Sequence, residues 1–163
     1  MSKRIALFAL TIFLCTYPSG AFSSISSRGS SVSAKCFAAK VWLGGATASK
    51  TAIYPDSDFV DFTQTVVATT DVPNTATVKV EFSDYNNPGH VPYSVSARAQ
   101  TKTLPGGGTS TNYTFRLTTN GNDANTGTIT MQFRLDTVTG ATAIDPLTKE
   151  VVIIVQARGV GPR

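Results

Sequence analysis

Residues 127–137 read GTITMQFRLDT, and their alternation decides the fold class. Ile129, Met131, Phe133 and Leu135 fall on one side of an extended chain, with Thr128, Thr130, Gln132, Arg134 and Asp136 on the other. Successive side chains of a strand point to opposite faces, so this period of two marks a half-buried β-strand. Just upstream, residues 112–119 repeat the pattern, with Tyr113, Phe115 and Leu117 on one face and Thr114, Arg116 and Thr118 opposite. The connecting NGNDANTG is rich in Gly, Asn and Asp, which tolerate turn geometry. The two segments are expected to form a β-hairpin.

Working outward, the same rule finds further strands. Residues 76–82 bury Ala76, Val78, Val80 and Phe82. Residues 91–100 read as one strand burying Val91, Tyr93, Val95, Ala97 and Ala99. Residues 37–43 set Phe37, Ala39, Val41 and Leu43 against Lys40, and 62–68 is a weaker strand. Residues 150–157 contain VVIIV, an apolar run expected of a strand buried on both faces or central in its sheet. No stretch after residue 35 has a helical period, and Ser, Thr, Gly and Pro are too frequent for long helices.

Seven strands with one apolar face each call for two sheets packed face to face, a small closed barrel being the alternative. The expected fold is all-β: an antiparallel two-sheet sandwich with immunoglobulin-like Greek-key connections. The antibody type is excluded, because it needs two cysteines around a buried tryptophan, whereas the single Trp42 sits in the first strand. TATVKVEF, then YSVSARAQ, then LPGGGTS leading into NYTFRLTT and GTITMQFRL, resembles the immunoglobulin-like modules of bacterial secreted and surface proteins. The resemblance spans roughly residues 75–135, rests on pattern and turn residues, and implies a structural or adhesive module.

The amino terminus points to export. MSKR supplies two positive charges, IALFALTIFLC an apolar core, and Ser19, Ala21 and Ser23 the small residues of a cleavage site. This is the three-part logic of a signal peptide over residues 1–23, with an apolar core too short for a spanning helix. Lipidation at Cys15 is disfavoured because bulky Leu14 precedes it. Residues 24–35 are a Ser-rich flexible stretch, and 36–163 form a single domain. No span remains after cleavage, so the mature chain is expected to be secreted, periplasmic or on the cell surface. Removing Lys3 and Arg4 from fourteen basic side chains leaves twelve against ten acidic, a balance of +2. Without a basic run, nucleic acid is not an expected partner. Cys36 is then the lone cysteine, so no internal disulfide is expected.

Candidate chemistry is sparse. Gly106–Gly108 lack the following helix and the Gly-Lys-Ser/Thr of a phosphate loop, so LPGGG reads as a turn. Asp56, Asp58 and Asp61 in YPDSDFVD are calcium candidates, three carboxylates that a loop could converge, and no other cofactor is expected. NGNDANTG, with one carboxylate, fits a turn better. Asn112-Tyr113-Thr114 is a glycosylation sequon. His90 is the only histidine, with no nucleophile elbow nearby, so an enzyme is not expected and a secreted hydrolase is the weakest alternative. Trp42, Tyr54 and Tyr85 are candidates for stacking on sugars, which makes a carbohydrate-binding module the main alternative to a structural or adhesive protein. The expected partner is a protein or glycan at the cell exterior.

Overall fold

The computed structural model describes residues 38–158 and, ahead of them, two short strands, β1 (Ser26–Ser27) and β2 (Ser30–Ser31), which pair antiparallel. The chain divides into two units, Met1–Phe37 and Ala38–Arg163. The expected signal peptide, Cys36, Phe37 and the rest of the Ser-rich stretch lie outside the described residues.

The second unit is built from strands alone among the described residues. They are β3 (Lys40–Ala48), β4 (Ala52–Ile53), β5 (Asp56–Ala68), β6 (Thr77–Asn86), β7 (Tyr93–Val95), β8 (Ala99–Thr103), β9 (Thr111–Asn120), β10 (Gly127–Thr139), β11 (Thr142–Ala143) and β12 (Thr148–Val155). Sheet I runs β4-β12-β10-β6-β8 and sheet II runs β11-β3-β5-β9-β7. Consecutive strands repeatedly change sheet, which makes an immunoglobulin-like Greek-key sandwich of two five-stranded sheets. Six of the seven expected strands have a single counterpart here, the one expected over 91–100 is divided, and short edge pieces complete the sheets.

The inward residues are those the alternation marks. Val78, Val80 and Phe82 of β6, Tyr113, Phe115 and Leu117 of β9, and Ile129, Met131 and Phe133 of β10 are fully buried. Four phenylalanines tie the sheets together. Phe62 is opposite Phe115 in sheet II, and Phe82 opposite Phe133 in sheet I. Across the core the Phe82 and Phe115 rings stack with centroids 4.9 Å apart, and Phe62 lies 5.2 Å from Phe82. Each such ring contributes on the order of 1.5–3 kcal/mol through burial. Tyr113 of sheet II reaches across as well, its hydroxyl donating to the Val78 carbonyl at 2.8 Å.

Three strand expectations need correction. β9 and β10 do not form a hairpin, because they lie in different sheets and residues 121–126 carry the chain across the sandwich. Both strands face one core from opposite sides, so their alternation is identical to that of a hairpin. The single strand expected over 91–100 is two: β7 pairs with β9, the chain leaves sheet II after Val95, and β8 pairs with β6. VVIIV is not buried on both faces. In β12, Ile153 and Val155 are buried, but Val152 is 54% and Ile154 51% exposed, since among the described residues no further layer covers sheet I on that side.

The glycine run is a turn, as expected. Leu104 is buried, and Gly106, Gly107 and Gly108 all have positive φ, 77°, 63° and 80°. A Cβ at Gly106 would meet Asn74 N at 2.9 Å and Val72 O at 3.1 Å, so the turn is pressed against the β5–β6 connection. One buried polar residue was not anticipated. Gln64 is wholly buried, and its Nε2 donates to the carbonyls of Thr65, Gly45 and Gly44 at 2.7, 3.3 and 3.4 Å. The Gly pair coincides with a register shift between Leu43 and Ala46, and Gln64 serves the carbonyls that the irregularity turns inward.

Candidate interaction surfaces

The acidic stretch 56–61 is strand, not loop: β5 begins at Asp56. The strand opens irregularly, with Ser57 left-handed at φ 53° and a register shift between Asp56 and Phe59. Each carboxylate meets its own cation. Asp56 lies 3.0 Å from Arg158, Asp58 2.7 Å from Lys50, and Asp61 takes both Nε and Nη2 of Arg116 at 2.8 Å. Asp58 also accepts the backbone N–H groups of Tyr54 and Phe59 at 3.1 and 2.8 Å, fastening the turn between β4 and β5. Thr119 Oγ1 lies 2.7 Å from the Tyr54 carbonyl, and Gly121 N–H donates to the carbonyl of buried Pro55.

The electrostatics follow from these bonds. Burial pushes the Asp58 carboxyl up, but the hydrogen bonds from Lys50 and from the N–H groups of Tyr54 and Phe59 outweigh it and hold it below its ordinary value. The Arg116 hydrogen bond holds Asp61 low. Phe59 completes the corner, 39% exposed, with the Arg116 guanidinium 4.0 Å and the Lys50 ammonium 4.8 Å from its ring centroid. Among the described residues, no group of three or more His, Cys, Asp or Glu side chains is placed to hold a metal ion.

The aromatic candidates are dispersed. Trp42 is half-buried on the outer face of sheet II beside its register partner Val67. Tyr54 is in the turn between β4 and β5, thirteen residues from Val67 along the chain, with Arg158 5.4 Å from its ring centroid. Tyr85 is 63% exposed near the end of β6, in the other sheet. Asn112 is exposed on the outer face of sheet II, where its side-chain oxygen accepts from Thr65 Oγ1 at 2.8 Å. His90 is an exposed turn residue with φ 47°, its N–H donating to the Asn87 carbonyl.

The outer face of sheet I divides into halves of opposite character. One half is ionic: Lys79 contacts Asp136 at 2.9 Å and Glu81 at 3.1 Å, and Glu150 accepts from Gln132 at 3.3 Å. The other half is apolar. Val152 and Ile154 stand opposite Thr130 and Thr128 of β10, and Ala52 of β4 pairs with Ile154. Strand β4 covers β12 only at Ile154 and Val155, so among the described residues no strand pairs with the free side of β12 from Thr148 to Ile153. On that side the even-numbered residues direct their backbone outward, as Ile154 N–H shows by donating to the Thr51 carbonyl.

Sheet II treats its own short-paired strand differently. Strand β7 covers β9 only at Leu117–Thr119, and Ser96 extends the contact to Arg116. Upstream, Gln100 Nε2 donates to the Thr114 carbonyl and Lys102 Nζ to the Asn112 carbonyl, each at 2.6 Å. The sequence held no sign that these two side chains would cap the neighbouring sheet. Val152 and Ile154 were visible only as core candidates.

No family model matches the chain, and no curated protein sequence matches it either. Among solved structures the chain is similar to the apo form of the Calx CBD1 domain, at 14% identity and a TM-score of 0.47, covering 74% of this chain and 97% of that one. Among the described residues no helix is long and apolar enough to cross a membrane.

Proposed function

We propose that the protein is a secreted, non-enzymatic module of the cell envelope or exterior that works by presenting its sandwich surface to a protein partner. The observation that carries this reading is the apolar half of sheet I, where Val152 and Ile154 stand half exposed on a strand with an open side. Exposed β-branched residues beside unpaired backbone suit strand addition, in which main-chain hydrogen bonds give affinity and alternate side chains give selectivity. The export reading rests on residues 1–23 and the adhesive reading on the resemblance over 75–135. A carbohydrate-binding role draws less support, since Trp42, Tyr54 and Tyr85 lie apart and an Arg already stacks on Tyr54.

A photo-crosslinking residue placed at position 152 of the full chain, in cells that make it, tests this. The expected result is a discrete protein adduct at 152 and none at Thr101, an exposed position on the same sheet. Absence of adducts at both 152 and 154, or turnover by the purified protein against a panel of hydrolase substrates, overturns the reading.

A further inference from the structure

We infer that Gln100 and Lys102 are guard residues that keep the 112–116 edge of β9 from pairing with the open side of β12 in a second copy of this chain. Had the run beginning at Tyr93 continued straight, it would have covered β9 to its start. It leaves sheet II after Val95 instead, and the carbonyls of Asn112 and Thr114 are left without a strand. Their spacing of two is that of the acceptors an added strand uses. The same run then supplies the covers: Gln100 and Lys102, two residues apart on β8, each reach one of the two carbonyls at 2.6 Å. Lys102 also holds its ammonium 5.2 Å from the ring centroid of buried Tyr113, which fixes it over the edge. A charged side chain on an edge is a recurring defence against edge-to-edge pairing.

The second copy is chosen by parity and by the matching open stretches of the two edges. On β9 the even-numbered residues direct carbonyls to the open side, as Asn112, Thr114 and Arg116 show. On β12 the even-numbered residues do so too, and among the described residues no strand covers Glu150 and Val152. Arg116 is already held, its carbonyl by the Ser96 N–H and its guanidinium by Asp61, so antiparallel pairing of the uncovered stretches places Asn112 opposite Val152 of the other copy and Thr114 opposite Glu150, with all four side chains on outer faces. An unguarded β9 therefore meets a complementary strand on every other molecule. The contact is head-to-tail, and such contacts grow chains rather than closed pairs.

The test compares the full chain with its Gln100→Ala/Lys102→Ala variant by light scattering coupled to size exclusion, across a hundredfold range of concentration. The variant is expected to show at least a doubling of mass that grows with concentration, while the wild type keeps its own mass. Adding Glu150→Lys to the variant should return it to the wild-type mass, and Lys102→Arg alone should keep the guard. A variant with wild-type circular dichroism and wild-type mass at every concentration overturns the inference. So does association that Glu150→Lys leaves untouched, because the partner edge would then be another. If the alanine pair does not fold, Gln100→Thr/Lys102→Thr keeps strand propensity, cannot span to β9, and is read the same way. The result is independent of the crosslinking at position 152, which reports a partner in cells rather than self-association of a variant.

Discussion

The free sides of β9 and β12 present the same problem and receive opposite treatment. Each is a long strand whose neighbour covers only two or three residues, β7 on β9 and β4 on β12. On β9 the exposed carbonyls are met by Gln100 and Lys102, and the outer face beside them carries Asn112, Thr114 and the Arg116–Asp61 pair. On β12 no such cover exists among the described residues, and the outer face carries Val152 and Ile154. Inner faces of the two sheets are chemically alike, so the core does not explain the difference. Specific character in this sandwich lies outside, where a side chain from one sheet either closes the edge of the other or leaves it open.

That contrast presupposes a single shared interior, and Phe82→Ala breaks it most severely. Phe82 touches Phe62, Phe115 and Phe133, so its loss leaves a cavity facing both sheets. A cost of about 3–5 kcal/mol is expected. Urea unfolding followed by Trp42 fluorescence, which reports sheet II, should coincide with unfolding followed by circular dichroism. Separate transitions would show two independently stable sheets.

The β8–β9 connection holds guard and edge in place, and its glycines separate two kinds of strain. Gly106→Ala combines a left-handed φ with backbone atoms at 2.9 and 3.1 Å from the new Cβ, so a loss of roughly 2 kcal/mol or more is expected. Gly107→Ala has the same sign of φ but nothing within 4 Å, and should cost about 1 kcal/mol. Equal melting temperatures for the two variants would refute the packing against residues 72–74.

Tyr113 anchors the guarded edge from within. Burial raises its hydroxyl to about 12 from an ordinary 10.0. A folded-state value above the unfolded one gives stability that is complete below pH 10 and is lost as pH rises towards 12. Burial and Asp84 raise Tyr93 as well, so absorbance titration should show two tyrosines ionising late, and Tyr113→Phe should remove one of them while costing roughly 1 kcal/mol for the lost bond to Val78. An unchanged titration curve would place that late group elsewhere.

Much of this organisation was legible in the sequence, and the missing part is of one kind. Alternation over 76–82, 112–119 and 127–137 named the core correctly because burial on one face needs only a period of two. It could not say which sheet a strand joins. The expected hairpin of β9 with β10 failed for that reason, since a crossing strand and a returning strand expose the same letters. VVIIV misled differently: an apolar run promises burial, but the second cover has to come from some other element. Gln64 stood at an inward position between Phe62 and Val66 and was readable as a buried polar group. Its purpose, the carbonyls of Gly44 and Gly45, belongs to tertiary structure. The carboxylates of 56–61 invited a cation, and the cations turned out to be Lys50, Arg116 and Arg158.

Those ion pairs give the next, smaller effect. Asp58 and Asp61 are held below the ordinary 3.8, so the stability they supply is complete above that value and is lost as pH falls below it. Exposed pairs are worth a few tenths of a kcal/mol each, up to about 1. Asp61→Asn should cost those few tenths of a kcal/mol at pH 7 and progressively less as pH falls through the range where Asp61 is protonated, which flattens the acid limb of the stability profile. A variant that loses as much at pH 7 as at pH 3 would show that Asp61 acts by shape, through the Arg116 stacked on Phe59, and not by charge.

The smallest expected change in stability is also the one that bears most directly on the two edges. Val152→Lys and Ile154→Lys replace half-exposed side chains on an outer face, where substitutions ordinarily stay within about 0.5 kcal/mol. If these residues merely completed the fold, both variants would melt several degrees lower, as a core substitution does. If they serve a partner, melting should be nearly unchanged while the adduct from a crosslinker on the other member of the pair disappears. Thr114→Lys on the guarded edge is the matching control, because it adds the same charge to an outer face already closed by Gln100 and Lys102. Loss of the adduct in both places would mean that added charge, rather than the open strand, governs the interaction.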